Sequence, residues 1–107
     1  MSRVSKIMGL GVFRFKKGQG DKMLPMLEEH AELLREFEGC LEAVVARSDR
    51  DPDRFVLWSK WTSIGAHGEM EKVLKAERDR KKRGVDFVKM SKWLKETPHF
   101  GVYRILD

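Results

Sequence analysis

The chain begins with an alternation of side chains that is typical of a β-strand. From residue 7 to residue 16, every second position faces one way and the intervening positions face the other, which is a period of two. The first half of this segment is apolar on both faces, so we expect both faces to be covered there. Gly9 and Gly11 fall on the same face and leave a hollow that a ligand or another backbone can approach.

A helical spacing follows the first strand. Apolar positions recur every three or four residues from residue 23 to residue 37, with charged residues between them. We expect Asp21 to be the N-cap, Pro25 to lie in the first turn, and Gly39 to end the helix in a left-handed conformation. The apolar stripe contains Met23, Met26, Leu27, His30, Ala31, Leu34 and Phe37.

Two further alternating segments, residues 41–46 and 55–61, are joined by a short polar turn around Asp51-Pro52-Asp53. Strands joined in this way are antiparallel. In the first of them, the alternation places Leu41, Ala43 and Val45 on one face. In the second, one face carries Phe55, Leu57, Ser59 and Trp61, and the other carries Val56, Trp58 and Lys60.

The second half of the chain repeats the order of helix and strand. Thr62 or Ser63 can cap a helix over residues 64–83, which Gly84 would break. A short helix is expected within residues 85–93, and a closing strand over residues 100–106. The sequence therefore predicts one α+β domain over residues 1–107, with a ferredoxin-like βαββαβ order and a four-stranded antiparallel sheet.

The predicted sheet carries its helices on one side, so its other face needs a cover. That face would present an apolar patch, which usually marks an interface. We therefore expect a homodimer formed through the sheet face. The contributing residues are Met8, Leu10, Val12, Val44, Ala46, Val56 and Trp58.

Composition and charge narrow the functional classes. Hydrophobic residues make up 41% of the chain and charged residues 36%, as in a soluble globular protein, and no apolar run approaches the roughly 20 residues that cross a bilayer. A cytoplasmic location is the default expectation, and Cys40 is unpaired because it is the one cysteine. The net charge of +5 is concentrated between residues 72 and 83. That segment is a solvated helix face, an anion-binding rim or a nucleic-acid patch.

The order of short motifs along residues 7–76 resembles the antibiotic biosynthesis monooxygenase superfamily. These motifs are Phe13-Arg14-Phe15-Lys16-Lys17-Gly18, Glu38-Gly39-Cys40-Leu41, Arg47-Ser48 with Asp51-Pro52, and Trp58 to Trp61-Thr62-Ser63. The resemblance implies a dimeric α+β barrel built from ferredoxin-like subunits. Some members oxidise phenols or quinols with molecular oxygen and without metal or flavin, others bind and open haem, and others have no demonstrated activity.

The haem-degrading branch of the family uses an asparagine on the first strand and a tryptophan and a histidine near the second helix. At the matching positions this chain has Gly11, Met70 and Arg80. The resemblance therefore implies no haem oxygenase of that type and no cofactor, although haem binding through His67 stays an alternative.

Two histidines are candidate catalytic residues. His67 would lie at the start of the second helix, where a base near neutrality could accept a proton from a phenol. His30 lies on the apolar stripe of the first helix, whereas His99 is expected in a loop. The alternative for His67 is a partly exposed histidine at a helix end. The alternative for His30 is a core histidine whose hydrogen bonds are satisfied. The histidines lack metal-ligand spacing, so no metal site is predicted.

Aromatic side chains could form a pocket for a flat aromatic substrate. The candidate substrate-binding residues are Trp61, Phe13, Phe55 and Tyr103, together with Gly11 in the hollow of the first strand. Core packing would explain the same aromatic residues without a ligand.

The leading hypothesis is a cofactor-independent monooxygenase-like enzyme that acts on a small aromatic compound with oxygen. The first alternative is a dimer of the same fold that binds an aromatic molecule or haem without catalysis. The second is a nucleic-acid binder, which is less well supported because Phe13, Phe15, Trp58 and Trp61 do not share one face. No membrane partner is expected.

Overall fold

A computed structural model describes residues 5–79 and 87–106. Strands and helices follow one another in the predicted βαββαβ order, with two short helical segments before the last strand. The elements are β1 (Ile7–Arg14), α1 (Gly20–Arg35), β2 (Cys40–Arg47), β3 (Arg54–Trp61), α2 (Ile64–Asp79), α3 (Phe87–Met90), a 3-10 helix (Ser91–Trp93) and β4 (His99–Arg104).

The four strands form one antiparallel sheet in the order β2-β3-β1-β4. The central strand β1 pairs with β3 and β4, so Gly9 stands opposite Ser59 on one side and Val102 on the other. Residues directly opposite in a sheet point to the same face. This register confirms the predicted α+β, ferredoxin-like fold and fixes which side chains share each face.

The inner face of the sheet is buried. Along β1 and β3 every second residue is buried and the residues between them are half-buried or, at Arg54, exposed, as the alternation in the sequence predicts. The core joins this face to one side of α1 and α2. Its largest fully buried members are Trp61, Phe13, Phe15, Phe55, Leu27 and Met90.

Helix α1 begins earlier than expected. Asp21 lies in the first turn, and the N-cap position belongs to Gln19. The reason is Asp53, whose carboxylate accepts hydrogen bonds from the backbone N–H of Gly18 at 3.1 Å and of Gly20 at 2.9 Å. A carboxylate from the β2–β3 turn therefore caps the helix, while Asp21 pairs with Arg47 at 2.7 Å.

Helix α1 also ends earlier than its apolar stripe suggests, with Glu36 as C-cap and Phe37 beyond it. Gly39 does adopt the left-handed conformation, with φ of +91°. Strand β2 then shows a bulge between Cys40 and Glu42. The bulge removes Leu41 from the predicted face with Ala43 and leaves it 50% exposed.

Helix α2 is capped by Ser63, whose hydroxyl accepts a hydrogen bond from the backbone N–H of Ala66 at 3.1 Å. The predicted end of this helix near Gly84 and the basic residues 80–83 lie outside the described residues. His99 was expected in a loop but is the first residue of β4, because it pairs with Val12.

The outer face of the sheet is apolar and only partly covered. Met8, Leu10 and Trp58 are half-buried, and Val44 is exposed. Among the described residues no helix is long and apolar enough to cross a membrane. The homodimer predicted for this face stays a prediction.

Candidate active site

A cavity of about 560 Å³ lies between the inner face of the sheet and the helices. Its volume falls in the range of small-molecule sites. The two glycines of β1 are part of its wall, as the hollow in the sequence predicts. Its lining residues are Gly9, Leu10, Gly11, His30, Leu34, Leu57, Ser59, His67, Met70, Glu71, Lys72, Leu74, Lys75, Phe100, Gly101 and Val102.

His67 enters this cavity from the first turn of α2 and is only 7% exposed. Its Nδ1 lies 2.8 Å from Oε1 of Glu71, one helical turn later. In the neutral imidazole, Nδ1 therefore carries the hydrogen that is donated to the carboxylate, and Nε2 keeps its lone pair. A carboxylate that fixes the tautomer in this way leaves Nε2 as a proton acceptor.

The free nitrogen of His67 stands above the backbone of Gly9, next to Ser59. A Cβ on Gly9 would lie 3.0 Å from His67 Nε2 and 2.9 Å from Ser59 Oγ. The indole N–H of Trp61 donates to the same Ser59 Oγ at 2.9 Å. Because this bond uses the oxygen as an acceptor, the Ser59 hydroxyl hydrogen is left to donate to another group beside Nε2.

His30 and Gly11 also line the cavity. His30 is buried on α1 and approaches from the helix side. A Cβ on Gly11 would lie 3.0 Å from the Phe13 ring and 3.3 Å from the Phe100 ring. The hollow at Gly11 is therefore partly filled by aromatic edges, and Phe100, which is exposed, borders the cavity at β4.

The other predicted aromatic residues do not line the cavity. Trp61, Phe13 and Phe55 are all 0% exposed and belong to the solid core. Trp61 acts on the site indirectly, through Ser59 and through an edge-to-face contact with the His67 ring at 5.6 Å. Tyr103 lies opposite Met8 and so points to the outer face, where its hydroxyl is 3.0 Å from His99 Nε2.

Glu71 and Ser59 were not predicted as site residues. The spacing of His67 and Glu71, four residues apart on a helix, was the signal that could have identified the pair. Ser59 gave no comparable signal, because its partner Trp61 and its neighbour Gly9 come together only through the register of the sheet.

Cys40 lies outside the cavity lining and is half-buried at the start of β2. Burial raises the pKa of its thiol above the ordinary value, and a backbone contact at Glu42 and the charge of Arg35 offset only part of that rise. The thiol is therefore protonated at neutral pH. It behaves as a small hydrophobic side chain.

A family model matches more than half of the chain. The model describes antibiotic biosynthesis monooxygenases, and the match spans residues 7–73, from the first residue of β1 into α2. The chain belongs to the antibiotic biosynthesis monooxygenase family. No curated protein matches the chain at a significant level.

Solved structures show the same fold at low sequence identity. A candidate antibiotic biosynthesis monooxygenase from Nitrosomonas europaea has 14% identity and a TM-score of 0.75, with 99% of this chain and 95% of that chain covered. A candidate antibiotic biosynthesis monooxygenase from Bordetella bronchiseptica has 16% identity and a TM-score of 0.68, covering 95% and 98%. A conserved protein of unknown function from Bacteroides thetaiotaomicron, described as a possible oxidoreductase, has 14% identity and a TM-score of 0.74, covering 94% and 98%.

Haem binding in the family raises the question of whether His67 could be an axial ligand here. An axial ligand needs an iron atom directly in front of its free nitrogen, with the porphyrin plane across it. In this chain a Cβ on Gly9 would lie 3.0 Å from His67 Nε2, so the missing side chain leaves this nitrogen open to the cavity that both residues line. Haem binding through His67 stays a prediction.

Within residues 5–79 and 87–106, no three histidine, cysteine or carboxylate side chains are placed to share a metal ion.

Proposed function

We propose that this member of the antibiotic biosynthesis monooxygenase family is a cofactor-independent monooxygenase-like enzyme for a small phenolic or quinol compound. The observation that supports it is the pair formed by buried His67 and exposed Glu71, in which His67 Nε2 faces an apolar cavity of about 560 Å³. Such a pair supplies a base next to a place where a flat aromatic ring can bind.

In the proposed reaction, His67 Nε2 accepts the hydroxyl proton of the bound phenol. The resulting phenolate is electron-rich and reduces molecular oxygen directly. One oxygen atom becomes the new carbonyl of a quinone and the other leaves as water, so the ring supplies four electrons and oxygen accepts four. The proton held by His67 returns when water is released.

The chain contributes three effects to this reaction. The apolar cavity excludes water and aligns the ring. The Ser59 hydroxyl can donate a hydrogen bond to the phenolate oxygen, because its own oxygen is engaged by Trp61. Glu71 stabilises the imidazolium that forms when His67 takes the proton.

The working unit in this proposal is a homodimer joined through the outer face of the sheet. The outer face offers an apolar surface in which Trp58 stands between Leu10 and Val44 on the neighbouring strands. A second copy of the chain would bury this surface from water.

The test is oxygen uptake with a panel of phenols and quinols, followed by variants of the base. We expect His67→Ala to lower turnover by about 10²-fold or more, as for loss of a general base. His99→Ala is the matched control, since His99 is exposed and does not line the cavity, and we expect it to keep full turnover.

Labelled oxygen gives a second readout, because the mechanism places one atom of the label in the quinone. Turnover that survives in His67→Ala would remove this histidine from the mechanism. Tight binding of the panel without any oxygen uptake would instead identify the protein as a non-catalytic ligand binder of the same fold.

A further inference from the structure

The rim of the cavity is more basic than its interior. Helix α2 contributes Lys72 and Lys75 to the lining, three residues apart and both exposed. The deeper lining is apolar apart from Ser59 and the two histidines. Two ammonium groups at the edge of an apolar cavity are not needed to bind a neutral ring.

We infer that the cavity selects hydroxyaryl compounds that carry an anionic group, with the hydroxyl at His67 and the anion at Lys72 and Lys75. This inference rests on the proposed function, because it uses the same base to orient the ring. It extends that function by naming the chemical class of the substrate.

The charges around the cavity leave the lysines available for such an anion. Glu71 is the carboxylate of the lining, and its Oε1 is engaged by His67 at 2.8 Å. Lys72 has a loose contact with Glu69 at 3.9 Å, between two exposed side chains. Within the described part of the chain, Lys75 forms no ion pair. Among the residues that line the cavity, two ammonium groups therefore stand against one carboxylate.

The geometry also separates the two ends of the ligand. His67 and Ser59 are buried at the inner face of the sheet, whereas Lys72 and Lys75 follow His67 along α2 by one to two helical turns. A rise of about 1.5 Å per residue places their Cα atoms roughly 7–12 Å further along the helix. A fused two-ring compound with its hydroxyl and its anion at opposite ends suits this separation.

The experiment compares two compounds that differ only in charge at one end. The probes are 6-hydroxy-2-naphthoate and 6-hydroxy-2-naphthamide, and binding to the full chain is measured by calorimetry at low and high salt. We expect the carboxylate to bind about tenfold more tightly than the amide, since two rim ion pairs act on it. Salt should reduce this preference, because the ammonium groups are exposed.

Two double variants locate the preference. The double variant Lys72→Gln/Lys75→Gln should abolish the preference for the carboxylate. Its affinity for the amide should stay within about twofold of that of the parent chain. Lys17→Gln with Lys22→Gln removes the same net charge from exposed positions outside the cavity lining and should retain the preference.

Equal binding of the two probes by the parent chain would overturn the inference. So would a preference that survives loss of Lys72 and Lys75, or no binding of either probe. Because binding needs no oxygen, the two proposals fail separately. A charge preference without oxygen uptake removes only the oxidation, whereas oxygen uptake that is indifferent to the carboxylate removes only this inference.

Discussion

At the scale of single residues, the proposed chemistry depends on what surrounds one histidine. His67 is buried, its Nδ1 is bound to Glu71, and its ring rests edge-on against Trp61. Each of these contacts restricts the ring, so Nε2 has one direction in which to act. An exposed histidine at a helix start would have no such restriction, whereas His67 is buried.

In the proposed reaction Glu71 is a positioning residue, because it would act on the substrate only through His67. We expect Glu71→Ala to lower turnover about tenfold with little change in KM, since a hydrogen bond to a charged group contributes about 1.5 kcal/mol or more. Steady-state kinetics with an accepted quinol would measure it. Glu71→Gln, which keeps an acceptor oxygen, should recover part of the loss.

The matched control for this prediction is Glu69→Ala on the same helix. Glu69 contacts Lys72 at 3.9 Å between exposed side chains, so its loss should leave kcat unchanged. If both alanine variants lost the same activity, a general effect on α2 would replace the positioning role of Glu71.

Gly9 is the second residue on which the site depends, because it leaves room for the base. A Cβ at this position would approach Ser59 Oγ to 2.9 Å and His67 Nε2 to 3.0 Å. We expect Gly9→Ala to destabilise the fold by about 1–3 kcal/mol through overpacking and to displace His67. Chemical denaturation measures the first effect, and the NMR shifts of the His67 ring measure the second.

Gly68→Ala provides the comparison, since a Cβ there meets nothing within 4 Å. Within helix α2 this change should stabilise the protein by about 1 kcal/mol. A Gly9→Ala variant as stable as the parent, with an unmoved His67 ring, would show that the cavity wall can adjust without cost.

At the scale of elements, most of the fold follows from periodicity and turn residues. The alternation along β1 and β3 predicts which residues are buried, because a strand turns successive side chains to opposite faces. The errors occur where a distant residue intervenes. Asp21 lies at the sequence position expected for an N-cap, yet Asp53 from the β2–β3 turn caps the helix. No local sequence pattern predicts such a contact.

The same limit applies to the residues that line the cavity. Trp61, Phe13 and Phe55 are aromatic residues of the kind that line pockets. Their positions in the sequence alone do not distinguish a cavity wall from a solid core. The register of the sheet does so, since it turns Tyr103 to the outer face and places Ser59 beside Gly9. Gly11 and His30 lie on faces that the periodicity defines, and His67 lies at the helix start that Thr62 and Ser63 indicate. All three line the cavity.

The capping contact of Asp53 gives a prediction at this scale. Asp53→Ala would remove the carboxylate that accepts hydrogen bonds from Gly18 and Gly20. We expect a loss of about 1–2 kcal/mol in the free energy of unfolding, as for other helix caps. Urea denaturation measures it. Asp49→Ala, at an exposed position before the same turn, should change stability by less than about 0.5 kcal/mol.

At the scale of the whole molecule, the two faces of one sheet have different roles. The inner face carries the buried glycines and the serine that shape the cavity, while the outer face carries half-buried or exposed apolar residues. An apolar face of this kind is costly to leave in water. Self-association through the outer face would therefore leave the cavity, which opens on the other side, accessible to a substrate.

Trp58 is the residue with which to test this association. It stands opposite Leu10 on β1 and Val44 on β2, at the middle of the outer face. A buried tryptophan at the centre of an interface commonly contributes 2 kcal/mol or more. We expect Trp58→Lys to raise the dimer Kd about thirtyfold or more, and light scattering after size-exclusion chromatography would show the mass of one subunit at concentrations where the parent is dimeric.

Ile64→Lys is the control for the added charge. Ile64 is 60% exposed at the start of α2, away from the outer face, so this variant should remain a dimer. Circular dichroism separates dissociation from unfolding, since Trp58 lies outside the buried core and its replacement should preserve the sheet. A parent chain that is monomeric at high concentration, or a Trp58→Lys variant that stays dimeric, would contradict an interface through this face and would require another cover for the apolar residues around Trp58.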